Sequence, residues 1–196
     1  MSLLDITGLS HTYGDSCLYS DSDLSLNHGE HMGIVGQNGT GKSTLIKICT
    51  EQVTPDSGRV VWQPGITIGY LDQYANTHHG MTMERFLKTS FASLYELETK
   101  MTKLYDEAAS ACNMDALNQA SLYQEELERS GFYSIDTRIA QVVTGLGLTA
   151  IGLSRPLEDM SGGQRAKVIL AKLLLEKPDV LLLDEPTNFL DKEHVE

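Results

Sequence analysis

The first seventy residues are patterned like strands. LLDIT at 3–7 and DLSLN at 23–27 alternate apolar and polar positions, as half-buried strands do. An apolar stretch at 32–35 predicts a further strand, followed by a glycine-rich loop and a helix from about Lys42. This strand, loop and helix order opens an α/β unit. GRVVWQPGITIGYL at 58–71 predicts two short strands joined through Pro64-Gly65, with Trp62 as a packing residue.

From about Met83 the period changes. Leu87, Phe91, Leu94, Leu97 or Glu98, Met101, Leu104 or Tyr105, and Ala108 recur at steps of three and four, so one face of a long helix is apolar. A break at Asn113-Met114-Asp115 separates it from a second helix over roughly 115–130, rich in Glu and Gln, with Gly131 as its stop. Two such helices joined by a short turn form an antiparallel hairpin, either a packed subdomain or a protruding arm. Residues 135–150 predict another helix, ending near Gly145-Leu-Gly147. RAKVILAKLLLEK predicts a helix that Pro178 closes, and VLLLD at 180–184 reads as a buried strand. Lysines and Pro178 interrupt this last apolar stretch, which marks it as core.

With 196 residues, 41% of them hydrophobic and 21% charged, the chain has the composition of an ordinary globular domain with room for a smaller subdomain. Its start lacks the basic and long apolar segments of a signal peptide. No stretch reaches the roughly 20 apolar residues that span a bilayer. Cys17, Cys49 and Cys112 are scattered and odd in number, which suggests a reducing compartment and filler roles. His78 and His79 lack ligand spacing and read as surface residues. Together these features point to a cytoplasmic protein. The net charge of −12 argues against non-specific attraction to a phosphate backbone.

The chemistry begins at Gly36-Gln-Asn-Gly-Thr-Gly-Lys-Ser43, which matches G-x(4)-G-K-[ST] between the expected strand and helix. Glycines let successive N–H groups close around a phosphate, and a helix N-terminus adds partial positive charge. Lys42 would place its ammonium at the β and γ phosphates, and the Ser43 hydroxyl would ligate magnesium. At the other end of the chain, the aliphatic run delivers Asp184 and Glu185. The first is suited to magnesium and the second to orienting and deprotonating water at the γ-phosphate. The cofactors expected are therefore ATP and Mg2+.

Gly36 to Thr44, Met160-Ser161-Gly162-Gly163-Gln164 and Leu183-Asp184-Glu185-Pro186, in this order, resemble an ABC (ATP-binding cassette) ATPase across essentially the whole chain. The resemblance implies a P-loop NTPase, ABC-type α/β domain with a small antiparallel β subdomain and an inserted α-helical subdomain or arm. Gly36, Asn38, Gly39, Thr40, Gly41, Lys42, Ser43 and Thr44 would bind ATP, with Tyr13 stacking on adenine. Gln73, in a stretch similar to the Q-loop, would reach the magnesium and the attacking water. Ser161, Gly162, Gly163 and Gln164 correspond to the signature loop, which serves the ATP held by a facing cassette. Asn188 and Asp191 would belong to the D-loop that crosses to that partner.

Asp184 to Asp191, DEPTNFLD, is similar to the pattern of the ABC-F subfamily, proteins with two cassettes and no membrane domain, several of which act at the ribosome in translation or antibiotic protection. The long interval from Gln73 to Ser161 suits that subfamily's arm. Met160 and Phe189 depart mildly from the pattern, the first staying apolar and the second filling a variable position. The organisation expected is one truncated cassette, with an ATP-binding core at 1–73 and 157–196 and a helical subdomain at 74–156 whose hairpin spans about 83–130. His194 follows Glu185 by nine positions, too close for the family's switch histidine, so the chain reads as a first-cassette fragment. It would bind nucleotide with little hydrolysis, lacking its second cassette. The parent would engage the ribosome and its RNA, with no direct membrane insertion. A transporter ATPase subunit is the alternative. A DNA-associated ATPase is less favoured, because no long coiled coil is present.

Overall fold

The computed structural model describes residues 2–70, 80–111 and 113–184. By contacts the described residues divide into two units, 2–70 with 178–184, and 80–111 with 113–177.

In the first unit, β1 (Ser2–Tyr13) and β2 (Ser16–Asn27) form an antiparallel hairpin, closed by the two-residue turn Gly14-Asp15 with Gly14 at φ 60°. β3 (Ser57–Trp62) pairs antiparallel with the other edge of β1, giving the sheet order β2-β1-β3. This is the antiparallel β subdomain that the sequence led us to expect. Leu4 and Ile6 of β1 point to one face, and a register irregularity between Ile6 and Leu9 brings Leu9 back to it. Onto that face packs α1 (Lys42–Cys49), through Leu45, Ile48 and Cys49. Burying each such aliphatic side chain stabilises the fold by about 1.5–3 kcal/mol. Trp62 closes the layer by donating its Nε1–H to the Cys49 carbonyl at 2.8 Å, as a packing residue should.

A second, parallel pair joins β4 (Ile68–Tyr70) to β5 (Val180–Leu182), with the whole helical unit inserted between them in sequence. Thr67 and Asp179 fasten its entrance. The Asp179 carboxylate accepts from the Thr67 N–H and hydroxyl, both at 2.8 Å, and the Val180 N–H donates to the Thr67 carbonyl at 3.1 Å.

Two strand expectations need correction. Residues 32–35 join neither sheet, and Val35 is 97% exposed. An apolar run favours burial but does not choose a ladder partner, and among the described residues nothing pairs with it. The strand read over 180–184 is shorter, at Val180–Leu182, and is buried at Val180 but not at Leu181.

The second unit is helical. α2 (Met83–Lys88) starts where Thr82 accepts from the Arg85 N–H, and it leads through a tight turn at Thr89–Phe91 into α3 (Ala92–Ala111). The single long helix expected from Met83 is therefore divided. The Thr89 hydroxyl donates to the Phe86 carbonyl at 2.6 Å, a local bond that competes with the regular ladder. α4 (Met114–Arg129) is capped by Asn113, whose side chain accepts from the Asp115 and Ala116 N–H groups. It stops before Gly131 at φ 73° and packs against α3, forming the expected hairpin. Tyr105 of α3 donates to Gln124 of α4 at 2.7 Å.

α5 (Ile135–Gly145) and α6 (Gly162–Glu176) complete the unit, with Phe86, Leu87, Leu127, Ile139, Leu148, Val168 and Leu173 fully buried. α6 packs on α2 and α5, so by contacts it groups with the helices, whereas the sequence reading placed 157–177 with the ATP-binding core. Lys172 of α6 is buried beside Glu176 at 2.6 Å and donates to the Thr89 hydroxyl at 2.9 Å. No described helix is long and apolar enough to cross a membrane.

Candidate functional site: a phosphate loop at an uncapped helix end

α1 is preceded at its N-cap by Gly41, which is left-handed (φ 101°) and has no side chain to cap the helix. The N–H groups of the first turn are therefore open to an anion, and no acidic residue stands among them. Glycine is required at this position for two reasons: its φ, and the Tyr19 hydroxyl, which lies 2.7 Å from where a Cβ would stand.

Before the helix, the loop folds on itself. Thr40 donates its N–H and hydroxyl to the Gln37 carbonyl, at 3.3 and 2.9 Å. The Lys42 ammonium reaches back to the carbonyls of Gly36 and Gln37 at 2.9 and 3.0 Å, and so lies over the loop. A cavity of about 380 Å3 opens here, within the size range of small-molecule sites. Asn38, Gly39, Gly41, Lys42, Ser43 and Thr44 line one side, and Tyr13, Ser16 and Leu18 from the end of the β1–β2 hairpin line the other. Tyr13 is 74% exposed and presents its ring at the rim. The lining has one cation, no carboxylate, open N–H donors and an aromatic face, a donor set that suits a nucleoside polyphosphate.

The structure thus brings together Tyr13, Asn38, Gly39, Gly41, Lys42, Ser43 and Thr44, with Gly36 and Thr40 in the same loop. Asp184 stands just beyond β5, at the end of the strand pair, and is not among the lining residues. Ligands in open α/β sheets bind beyond the carboxyl ends of strands, which is where Asp184 lies. Among the described residues no three His, Cys, Asp or Glu side chains converge to hold a metal alone. A divalent ion held partly by phosphate oxygens, the Ser43 hydroxyl and one carboxylate needs no such cluster. Gln73, Glu185, Asn188 and Asp191 lie outside the described residues, as do Cys112, His78 and His79.

Ser161, Gly162, Gly163 and Gln164 form the start of α6 in the helical unit. There they make a capping box, in which the Ser161 hydroxyl accepts from the Gln164 N–H at 3.2 Å and the Gln164 side chain accepts from the Ser161 N–H at 3.1 Å. Met160 is buried, so its apolar character is kept. Cys49 is buried in the core, where desolvation pushes its thiol up to about 11, and Cys17 is exposed.

Sequence reasoning missed Tyr19, whose hydroxyl donates to the Gly41 carbonyl. The strand pattern of β2 marks Tyr19 only as a half-buried aromatic, and its partner is 22 positions away.

The ABC transporter family profile matches residues 19–188. Over 199 aligned residues the chain is 43% identical to the ABC transporter ATP-binding protein YfmM of Bacillus subtilis (strain 168), covering 100% of this chain and 38% of that protein. It is 30% identical to ABC transporter F family member 2 of Arabidopsis thaliana, covering 97% of this chain and 29% of that one. It is 31% identical to the energy-dependent translational throttle protein EttA of Mycobacterium tuberculosis, covering 94% and 33%. Among solved structures, the complex of archaeal ribosomal stalk protein aP1 with ribosome recycling factor aABCE1 superposes with a TM-score of 0.66 at 26% identity, over 99% of this chain and 29% of that one. The chain thus spans well under half the length of these relatives. A phosphate loop at the start of α1, an antiparallel β layer, an inserted helical unit and a profile match over most of the length lead to one conclusion: the chain belongs to the ABC family of ATP-binding cassettes.

Proposed function

We propose that this chain is the ATP-binding cassette of an ABC-F type ATPase, in which binding and hydrolysis of Mg-ATP drive closure against a second cassette and so regulate association with the ribosome. The observation that carries the reading is the cavity between the uncapped N-terminus of α1 and the hairpin end bearing Tyr13. In this reading the first-turn N–H groups and Lys42 grip the phosphates, the ammonium leaving the Gly36 and Gln37 carbonyls to do so. Tyr13 stacks on the base. Ser43, Asp184 and Gln73 hold Mg2+, which supplies charge neutralisation at the transferring phosphate. Glu185 orients and deprotonates water, and Ser161 to Gln164 close over the nucleotide of the facing cassette. Asn188 and Asp191 cross to that partner.

The ribosome part of the proposal draws support from relatives named for translational throttling and for membership of the F family, and from the solved recycling factor bound to a ribosomal stalk protein. The test uses the full-length parent carrying Glu185→Gln, incubated with Mg-ATP and centrifuged through sucrose with ribosomes and, separately, with membranes. ATP-dependent recovery with ribosomes is expected. Recovery with membranes alone would replace this reading with that of a transporter subunit.

A further inference from the structure

We infer that Tyr19 is a positioning residue for the phosphate site. The inference rests on the nucleotide reading above and adds a residue to it. The Gly41 carbonyl accepts twice, from the Leu45 N–H at 2.9 Å and from the Tyr19 hydroxyl. Both bonds draw the carbonyl away from the loop and along α1. In a trans peptide the N–H points opposite to the C=O, so the Lys42 N–H faces back toward the loop and the cavity that Gly41 and Lys42 line.

The helical bond alone would leave this peptide at a fraying helix end, with no side-chain cap to steady it. Tyr19 supplies the missing restraint from a separate element. Its ring packs against the core formed by β1 and α1, which limits its motion. Burial raises its phenol above the usual tyrosine value, so the hydroxyl remains a donor throughout the neutral range. Tyr19 touches the loop and not the ligand, since the cavity is lined by its neighbour Leu18.

The test is calorimetric titration of the 196-residue chain and its Tyr19→Phe variant with Mg-ATP and with Mg-tripolyphosphate. Loss of one hydrogen bond that orients a binding amide should weaken both ligands by about threefold to tenfold, and by the same factor. Trp62→Phe serves as the control, because it removes a 2.8 Å bond to the opposite end of the same helix. That variant should lose thermal stability while keeping both affinities. Equal affinities in wild type and Tyr19→Phe overturn the role of Tyr19 and leave the nucleotide site standing. Equal weakening by the two variants also overturns it, because general loosening of α1 would then be the cause. Weakening toward ATP but not tripolyphosphate would assign Tyr19 to the base and not to the phosphates. No binding by the unchanged chain overturns both readings.

Discussion

Gly58 shows how much one missing side chain can decide. At φ 96° it runs against the irregular part of β1, where an added Cβ would stand 2.6 Å from the Gly8 carbonyl oxygen and the Leu9 Cα. Those neighbours are backbone and cannot turn aside. Gly58→Ala should cost about 3 kcal/mol or more, combining left-handed strain with overpacking. Gly14→Ala meets nothing within 4 Å and should cost only about 1–2 kcal/mol from its positive φ. Urea denaturation of the two variants measures the gap, and equal midpoints would refute the steric account. Neither the clash at Gly58 nor the hydroxyl of Tyr19 at Gly41 could be read along the chain. Each depends on an atom contributed by another strand, at a distance that local pattern does not encode.

At the scale of elements, two fastenings invite measurement. The Asp179 carboxylate, held below its ordinary range by the Thr67 N–H and hydroxyl, ties β4 to β5. Because its folded value is depressed, its stabilising effect is complete above the unfolded value of about 3.9 and disappears as pH falls through the folded one. Asp179→Asn should therefore lower the urea midpoint at pH 7, and the difference from wild type should shrink below about pH 4. A difference that stays constant from pH 7 to pH 3 would contradict this. The second fastening is the capping box of α6. Ser161→Ala should destabilise the helical unit by about 1 kcal/mol even without nucleotide, because the Gln164 N–H loses its acceptor. The motif then has a structural duty beside the one its family resemblance implies. Boundaries of α1, α4, α5 and α6 were legible to within a few residues, since caps, glycines and apolar spacing act locally. The division of α2 from α3 was not, because spacings of three and four suit both a continuous and an interrupted helix.

For the whole molecule, the cavity lining lies entirely between residues 13 and 44, in the first unit. Leu127 is fully buried in the second. Leu127→Ala should lower stability by about 2–5 kcal/mol while the affinity of the folded chain for Mg-ATP stays the same within twofold. Thermal melting with and without nucleotide reads both quantities, because at fixed concentration a ligand bound only by the folded state raises the midpoint by an amount that grows with the logarithm of its affinity. A large loss of affinity in this variant would mean that the helical unit shapes the cavity after all.

The amino-acid order by itself determined the loop that can hold a phosphate, the glycines at its bends, the hairpin of helices and the family to which the chain belongs. The first three follow from local backbone preference and from periodicity, which act over a few residues, and the family from the residues and order of its motifs. Tertiary structure alone decided that Tyr13 and Ser16 face the loop across a cavity, that Tyr19 secures Gly41, that α6 sides with the helices and that residues 32–35 find no ladder among those described. Each of these is a choice of neighbour, and apolar residues favour burial without specifying a partner. That choice emerges only when distant segments compete for the same surface.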